Sequence, residues 1–161
     1  MMPDFTAIAT QLAKEMLRKN LILATAESCT GGWIAEVATA IAGSSDWFDC
    51  GFVTYSNDAK QRMLGVRAYT LECYGAVSEN TVREMAEGAL LNSNALVSVA
   101  TSGIAGPAGG TADKPVGTVW FAWTGKGFDS QAEVQTFIGD REAVRSQAVA
   151  YALQELMALI K

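Results

Sequence analysis

Hydrophobic residues recur along the chain with two periods, which predict helices and strands in alternation. Spacings of three and four residues, typical of an amphipathic helix, begin at Phe5, with Asp4 or Thr6 as the expected cap. The same spacing predicts three further helices, which begin at Trp33, at Ser78 as the cap of residues 79–91, and at about Asp140. A further short helix is predicted from its ends, with Asn57 as the cap of a helix through Met63 and Gly65 as its end.

Five short apolar runs between these helices predict strands, over residues 21–26, 50–56, 96–101, 116–124 and 130–138. The last two runs are joined by Gly125-Lys126-Gly127 and predict a β-hairpin, so the sheet is expected to be mixed. This alternation indicates an α/β fold, a three-layer α/β/α sandwich with a mixed, mostly parallel sheet of about five or six strands. The length of 161 residues favours a single domain over residues 1–161.

Three polar segments, residues 27–32, 54–60 and 101–110, each follow a predicted strand. Because ligands of α/β proteins bind beyond the carboxyl ends of the strands, we expect these segments to form one site. The first contains two adjacent nucleophiles, Ser28 and Cys29, just before a helix whose free N–H groups and dipole would stabilise an oxyanion. A plain helix cap is the alternative role of Ser28. The following pair of glycines indicates a close approach to the backbone.

The second segment places Tyr55 and Lys60 five residues apart across a turn from strand to helix. As a base, Lys60 has to be neutral, so its pKa has to fall from about 10.4 toward the working pH through burial or nearby positive charge. A solvated lysine is the alternative. Arg141 and Arg145, one helical turn apart, can supply that charge or hold a phosphate, or they form a solvated first turn.

The third segment is too rich in glycine for regular structure. It has neither the ending of a Walker A motif nor a GxGxxG pattern that opens a helix, so it does not indicate a nucleoside triphosphate or dinucleotide site. Its N–H groups can face an anion, or the segment is a flexible surface loop.

Composition narrows the chemistry that the chain can perform. The absence of histidine excludes Ser-His-Asp, Cys-His and HExxH catalysis, so a hydrolase would use a lysine, a carboxylate or a metal-bound water as its base. Three cysteines without a CxxC pair indicate a reducing compartment and argue against structural zinc. A net charge of −5 speaks against direct nucleic-acid binding.

Cellular location and assembly are indicated by simpler patterns. No apolar run reaches the roughly 18 to 20 residues of a membrane span, and residues 1–4 lack the basic region of a secretory signal, so we expect a cytoplasmic protein without membrane association. Aromatic residues exceed what one small core readily hides and predict a homodimer. They are Trp33, Trp47, Phe48, Trp120 and Trp123.

Six segments in order carry motifs of one family. They are AESCTGG at 26–32, GFVTYSN at 51–57 with Lys60, GAVS at 75–78, SGIAGP at 102–107, KPVGTV at 114–119 and GDR at 139–141. The set spans nearly the whole chain and resembles the CinA C-terminal domain family, the nicotinamide-nucleotide amidases.

The resemblance implies a metal-free amidase without a cofactor, which converts nicotinamide mononucleotide to nicotinate mononucleotide and ammonia in pyridine nucleotide salvage. It implies Ser28 as the nucleophile and Lys60 as its base, with Tyr55 beside them, and we expect Tyr55 to act as a third catalytic residue that relays the proton or orients these groups. We expect an oxyanion hole from the N–H groups of Cys29, Thr30, Gly31 and Gly32. The expected substrate-binding residues are Ser102, Gly103, Gly106, Arg141 and Arg145.

A protein of another class can carry the same motifs, because motifs indicate that a site exists and not that it turns over substrate. The rival hypothesis is a catalytically silent paralogue that acts as a nucleotide-binding or protein-interaction module. Such a module would serve a competence or DNA-damage role through a protein partner.

Overall fold

One five-stranded sheet forms the centre of the molecule. The computed structural model describes residues 2–161, with strands β1 (Leu23–Glu27), β2 (Phe48–Val53), β3 (Val97–Gly103), β4 (Thr118–Gly125) and β5 (Gln131–Thr136) in the order β2-β1-β3-β4-β5. β1 is parallel to β2 and β3, whereas β4 is antiparallel to β3 and β5. Four strands thus share one direction and β4 opposes them, which confirms the predicted mixed sheet.

Helices cover both faces of this sheet and complete the predicted three layers. Within residues 2–161 the α-helices are α1 (Phe5–Arg18), α2 (Trp33–Thr39), α3 (Asn57–Leu64), α4 (Ala68–Tyr74), α5 (Glu79–Leu91) and α6 (Arg141–Ile160), with a short 3-10 helix at Ser44–Asp46. Apolar residues of α1, α2 and α6 pack on one face, and those of α3, α4 and α5 pack on the other. Because β1 and β3 lie between two helical layers, all of β1 and nearly all of β3 is buried.

The two faces of the sheet carry different side chains. Large residues such as Leu23, Val99 and Phe121 face the layer of α1, α2 and α6. Alanines face the other layer, and they let α5 approach closely enough for Ser98 Oγ to donate to the carbonyl of Ala86 at 2.7 Å. Burial of apolar area on both faces holds the sheet rigid and so fixes the ends of β1, β2 and β3.

Helix ends follow the predicted capping, with one exception. Asp4, Ser78 and Asp140 each accept a hydrogen bond from an N–H group in the first turn of α1, α5 and α6. At α3 the cap is Ser56, whose Oγ accepts from the Ala59 N–H, whereas Asn57 is the first helical residue. The helix α4 was not predicted, because it buries two residues and shows no apolar stripe.

The aromatic residues that predicted a homodimer find places within one chain. Trp47 and Trp123 are 1% exposed. Trp33 and Phe48 pack partly buried against one cluster of core residues, and Trp120 packs against the other. The premise that one core cannot hide these side chains is therefore wrong, and the homodimer itself stays a prediction. Among residues 2–161 there is no helix with the length and apolar character needed to cross a membrane.

Candidate active site

Polar residues meet where β1, β2 and β3 end, at one edge of the sheet. Ser28 follows β1, and its N–H donates to the carbonyl of Thr101 in β3 at 3.0 Å. Thr54 follows β2, and its N–H donates to the carbonyl of Glu27 at 2.8 Å. These main-chain bonds join the beginnings of all three predicted polar segments.

The amine of Lys60 reaches the hydroxyl of Ser28. Lys60 Nζ lies 3.1 Å from Ser28 Oγ, 2.9 Å from the carbonyl oxygen of Thr54 and 3.2 Å from that of Tyr55. Lys60 is 1% exposed, and it takes part in none of the ion pairs formed within residues 2–161. Burial lowers the pKa of Lys60, because a buried ammonium loses its hydration. The alternative of a solvated lysine is wrong.

The surroundings of Lys60 suit a neutral amine. Such an amine has two N–H donors and one lone pair, and Thr54 and Tyr55 offer two carbonyl oxygens to the donors. When Lys60 is an ammonium, its third N–H donates to Ser28 Oγ across the 3.1 Å contact, and when Lys60 is neutral, its lone pair is left to accept from the Ser28 hydroxyl. The local sequence produces this arrangement because Ser56 begins α3 and puts Lys60 on its buried face, together with Ala59 and Leu64.

Ser28 lies in a tight turn and does not cap the next helix. The N–H of Gly31 donates to the carbonyl of Ser28 at 3.0 Å, and the N–H of Trp33 donates to that of Thr30. Gly31 and Gly32 have φ of +59° and +99°, left-handed values that favour glycine. The N-cap of α2 is Gly32, which has no side chain to offer, so the alternative of Ser28 as a plain cap is wrong.

Glu27 supplies the missing cap from the end of β1. Its Oε1 accepts from Thr30 Oγ1 at 2.7 Å, Ile34 N at 2.9 Å and Gly32 N at 3.1 Å. Its Oε2 accepts from Ala35 N at 2.9 Å and Thr25 Oγ1 at 3.2 Å. Sequence reasoning missed this role. The available indication was a glutamate placed between a buried strand and a helix without a polar N-cap.

These bonds decide which main-chain donors are free. The N–H groups of Gly31 and Gly32 are already bonded, to Ser28 and to Glu27. The N–H groups of Cys29 and Thr30, the two residues after Ser28, donate to no other residue in the described part of the chain. Cys29 is itself buried, and burial raises the pKa of its thiol to about 12, so it stays protonated.

Arg145 joins α6 to the turn that carries Ser28. Its guanidinium donates to the carbonyls of Cys29 at 3.0 Å and Thr30 at 3.1 Å, and it lies over the ring of Trp33. A Cβ at Gly31 would stand 3.4 Å from Arg145 Nη2. A Cβ at Gly32 would instead stand 3.3 Å from Val53 Cγ2, so Arg145 approaches only the first of the two glycines.

Arg141 joins the second and third polar segments. Its Nη1 donates to the carbonyl of Gly106 at 2.8 Å, and its Nη2 donates to the hydroxyl of Tyr55 at 2.9 Å. The Tyr55 ring is exposed, so the link from Tyr55 to Lys60 runs through the Tyr55 carbonyl. Among the sequence-predicted causes of the lowered pKa of Lys60, burial acts and the two arginines do not.

The remaining predicted site residues form no hydrogen bond with the amine in the described part of the chain. Ser102 is buried in β3 and Gly103 ends this strand, and within residues 2–161 neither forms a side-chain hydrogen bond with Ser28 or Lys60. A cavity of about 660 Å³ opens beside the turn, and it is lined by Gly31, Gly32, Trp33, Glu36, Arg141, Glu142 and Arg145. No cluster of three His, Cys, Asp or Glu side chains suited to a metal ion occurs in the described chain.

Comparison with known proteins gives consistent results over the full length. The family model described as the CinA C-terminal domain matches residues 5–160. The nicotinamide-nucleotide amidohydrolase PncC of Escherichia coli strain K12 is 54% identical over 153 residues, which cover 95% of this chain and 93% of that protein. The protein of the same name from Pseudomonas putida is 51% identical over 158 residues, 98% of each chain. The crystal structure of the competence/damage inducible protein CihA from Agrobacterium tumefaciens superposes with a TM-score of 0.95 at 44% identity, over 100% of this chain and 99% of that one.

Proposed function

The chain belongs to the CinA C-terminal domain family, as its six motifs predicted, and on this premise we propose that it hydrolyses the carboxamide of nicotinamide mononucleotide to nicotinate mononucleotide and ammonia. The observation that carries the proposal is the 3.1 Å contact of a buried, unpaired lysine amine with Ser28 Oγ. Relatives of the same length named nicotinamide-nucleotide amidohydrolase support the choice of substrate.

Acylation begins at Ser28. Ser28 Oγ attacks the carboxamide carbon while its proton passes to the lone pair of Lys60 Nζ. The carbonyls of Thr54 and Tyr55 hold the ammonium that forms. Lys60 then gives the proton to the leaving nitrogen, the C–N bond breaks, and ammonia departs from an ester on Ser28.

Deacylation reverses these roles with water as the nucleophile. Lys60 takes a proton from the water that attacks the ester carbon, and it returns that proton to Ser28 Oγ as the C–O bond breaks. The product is the carboxylate of nicotinate mononucleotide. The same amine therefore serves as base and acid in both halves of the reaction, and no histidine is needed.

The oxyanion of each tetrahedral intermediate needs donors close to Ser28. The N–H groups of Cys29 and Thr30 directly follow the nucleophile and have no other acceptor in the described chain. We assign the oxyanion hole to these two groups. The N–H groups of Gly31 and Gly32 were also predicted for this role, but their existing bonds make them the weaker choice.

The phosphate of the substrate needs a cation on a protein of net charge −5. Arg141 lines the cavity beside the Ser28 turn and also bonds Gly106, so it supports a phosphate position between α6 and the 102–110 loop. Arg145, Ser102 and Gly103 stay predicted substrate-binding residues. Arg145 supports the turn through two carbonyls as well.

One assay separates an enzyme from a silent module. Purified protein is incubated with nicotinamide mononucleotide, and released ammonia and nicotinate mononucleotide are both quantified, with Ser28→Ala as the control. We expect equal amounts of both products and loss of both in the variant. A folded wild-type protein that binds the nucleotide, yet releases no ammonia, would support the rival hypothesis of a binding module.

Assembly and location complete the proposal. We propose a homodimer in the cytoplasm that binds no nucleic acid directly. Large apolar side chains that remain exposed, such as Tyr69 and Ile138, support an assembly, and the acidic net charge supports the absence of nucleic-acid binding. Light scattering that gives the 17.1 kDa mass of one chain would overturn the dimer.

A further inference from the structure

Glu27 is a fully buried carboxylate directly before the nucleophile, and the chemistry of the amide does not use it. It lies in the core at 0% exposure and forms none of the ion pairs within residues 2–161. Burial without a cation is costly for an anion unless hydrogen bonds replace its hydration. Five donors perform this replacement, three of them main-chain N–H groups at the start of α2.

We propose that Glu27 is a positioning residue of the active site, an inference that rests on the proposed amidase function. Through the five hydrogen bonds that its side chain accepts, it holds the turn of residues 28–32 so that Ser28 faces Lys60 and the N–H groups of Cys29 and Thr30 stay available for the oxyanion.

Saturation of the carboxylate argues against a role as base. Two carboxylate oxygens offer about four lone-pair positions, and here they accept five hydrogen bonds. A proton from Ser28 or from water would have to displace one of these donors. Glu27 therefore acts on the reaction through the turn.

The turn needs such an anchor because its own sequence is loose. Gly31 and Gly32 have left-handed backbones and no side chains that could fix them, and α2 is seven residues long. Glu27 bonds the N–H of Gly32 and the hydroxyl of Thr30, two points of the turn itself. It also accepts hydrogen bonds from the N–H groups of Ile34 and Ala35, so one side chain connects β1, the turn and α2.

The negative charge has a second effect on the choice of nucleophile. Burial is the main reason that the pKa of Cys29 is raised, and the charge of Glu27 adds to it. A thiolate beside Ser28 is thereby disfavoured. The same side chain thus places the hydroxyl and keeps the neighbouring thiol inert.

Glu84 offers a matched control elsewhere in the molecule. It too caps a seven-residue helix from another element, since its carboxylate accepts from the N–H of Arg67 and the hydroxyl of Thr70 at the start of α4. This helix lies in the layer of α3 and α5, and among the described residues Glu84 forms no hydrogen bond with Ser28. Unlike Glu27, Glu84 is also paired with a cation, the guanidinium of Arg67 at 3.2 Å. Glu84→Gln therefore removes a comparable cap without touching the proposed machinery.

The experiment compares Glu27→Gln with Glu84→Gln in steady-state kinetics on nicotinamide mononucleotide, with unfolding by urea measured for both. In Glu27→Gln one carboxylate oxygen is replaced by an NH2 group, which donates and does not accept. In one orientation of the amide this group faces the N–H of Ala35, and in the other it faces the three donors that bond Oε1. We expect kcat to fall about 100-fold in Glu27→Gln, because a small misplacement of a reacting group has that effect.

We expect KM of Glu27→Gln to stay within about threefold of the wild-type value. The pH dependence of its rate should keep its midpoint, because Lys60 remains the base. Glu84→Gln should keep wild-type kcat.

Further variants keep the proposal testable if Glu27→Gln does not fold. Thr30→Val removes one of the five bonds and leaves the carboxylate, and we expect a smaller fall of kcat, about tenfold, at unchanged KM. Wild-type kcat in a folded Glu27→Gln protein would overturn the proposal. So would loss of the pH dependence in Glu27→Gln, which would make Glu27 the base, or equal losses of kcat in the two glutamine variants.

A fluorophosphonate probe separates this inference from the proposed function. Ser28 Oγ attacks its phosphorus and displaces fluoride, so the labelling rate reports the nucleophile without the natural substrate. If wild-type protein labels at Ser28 and releases no ammonia from the nucleotide, the proposed substrate is wrong. Slower labelling of Glu27→Gln than of Glu84→Gln would still support the positioning role, and equal rates would overturn it.

Discussion

Lys60 Nζ lies 3.1 Å from Ser28 Oγ, although 32 residues separate them along the chain. Three elements produce this contact, since β1 ends just before Ser28, β2 ends just before Thr54, and α3 turns Lys60 back toward both. The amine is buried and forms no ion pair with a carboxylate among residues 2–161, and this burial lowers its pKa and favours its neutral form. Substitutions at this contact and around it should therefore change activity, stability and their pH dependence in specific directions.

Adjacent nucleophiles should behave differently on substitution. Ser28→Ala is expected to lower kcat about 1,000-fold or more, because the covalent step is lost. Cys29→Ser should keep most of the activity, since the oxyanion uses main-chain N–H groups and the pKa of the thiol is raised to about 12. Steady-state ammonia release measures both. Equal losses would point to a folding role of the turn, and a loss in Cys29→Ser alone would make the thiol the nucleophile.

Lys60 should prove essential for activity and costly for stability. Lys60→Met and Lys60→Arg are both expected to be inactive, the latter because a guanidinium with a pKa above about 12 has no neutral form at working pH. Circular dichroism checks that both fold. Substantial turnover in Lys60→Arg would make Lys60 an electrostatic anchor and not the base.

The stability of Lys60→Met should exceed that of the wild type in a pH-dependent way. The folded pKa of Lys60 is lowered, so the unfolded chain binds more protons and wild-type stability falls as pH drops below about 10.4 toward the folded pKa. The difference in stability between Lys60→Met and the wild type is therefore largest at low pH, and it disappears near the unfolded-state pKa of about 10.4. Thermal unfolding measures it, at about 2–4 °C per kcal/mol for a domain of this size. A lower Tm of the variant at neutral pH would contradict this account.

The pH dependence of kcat/KM should follow the deprotonation of Lys60. We expect the rate to rise with pH through a midpoint below the ordinary lysine pKa of about 10.4, because burial favours the neutral amine. A rate measured over a wide pH range with a substrate that does not titrate there provides the test. A rate that falls as pH rises over this range would require a group that acts in its protonated form.

Arg141 should discriminate substrates by their phosphate. Arg141→Ala is expected to raise KM for nicotinamide mononucleotide about 10- to 100-fold, because this factor corresponds to the free energy of one charge-assisted hydrogen bond. Activity on nicotinamide riboside, which lacks the phosphate, should change little. Arg62→Ala, which removes an exposed arginine paired with Asp58 on α3, is the control for net charge. The same loss on both substrates would place the phosphate elsewhere.

Much of the fold was predictable because its determinants are local. Apolar periods and helix caps located each strand and every α-helix of the described residues except α4, which buries too little apolar surface to leave a stripe in the sequence. The sequence does not locate the ends of helices to the residue. Ser56 and Asn57 are both good N-caps, and only the folded backbone shows that Ser56 is the cap of α3. Strand order was not predictable, because it depends on pairing between distant segments.

The sequence by itself determined which chemistry was possible, and the tertiary structure decided which of the candidate residues come together. The absence of histidine left a lysine, a carboxylate or a metal-bound water as the base, and Ser28 and Lys60 both follow predicted strands. The burial of Lys60, the saturation of Glu27 and the bonds of Arg145 to a turn 116 residues away became visible only in the folded chain. The physical reason is that hydrophobic periodicity is a property of neighbours along the chain, whereas desolvation and hydrogen bonding depend on groups that folding brings together.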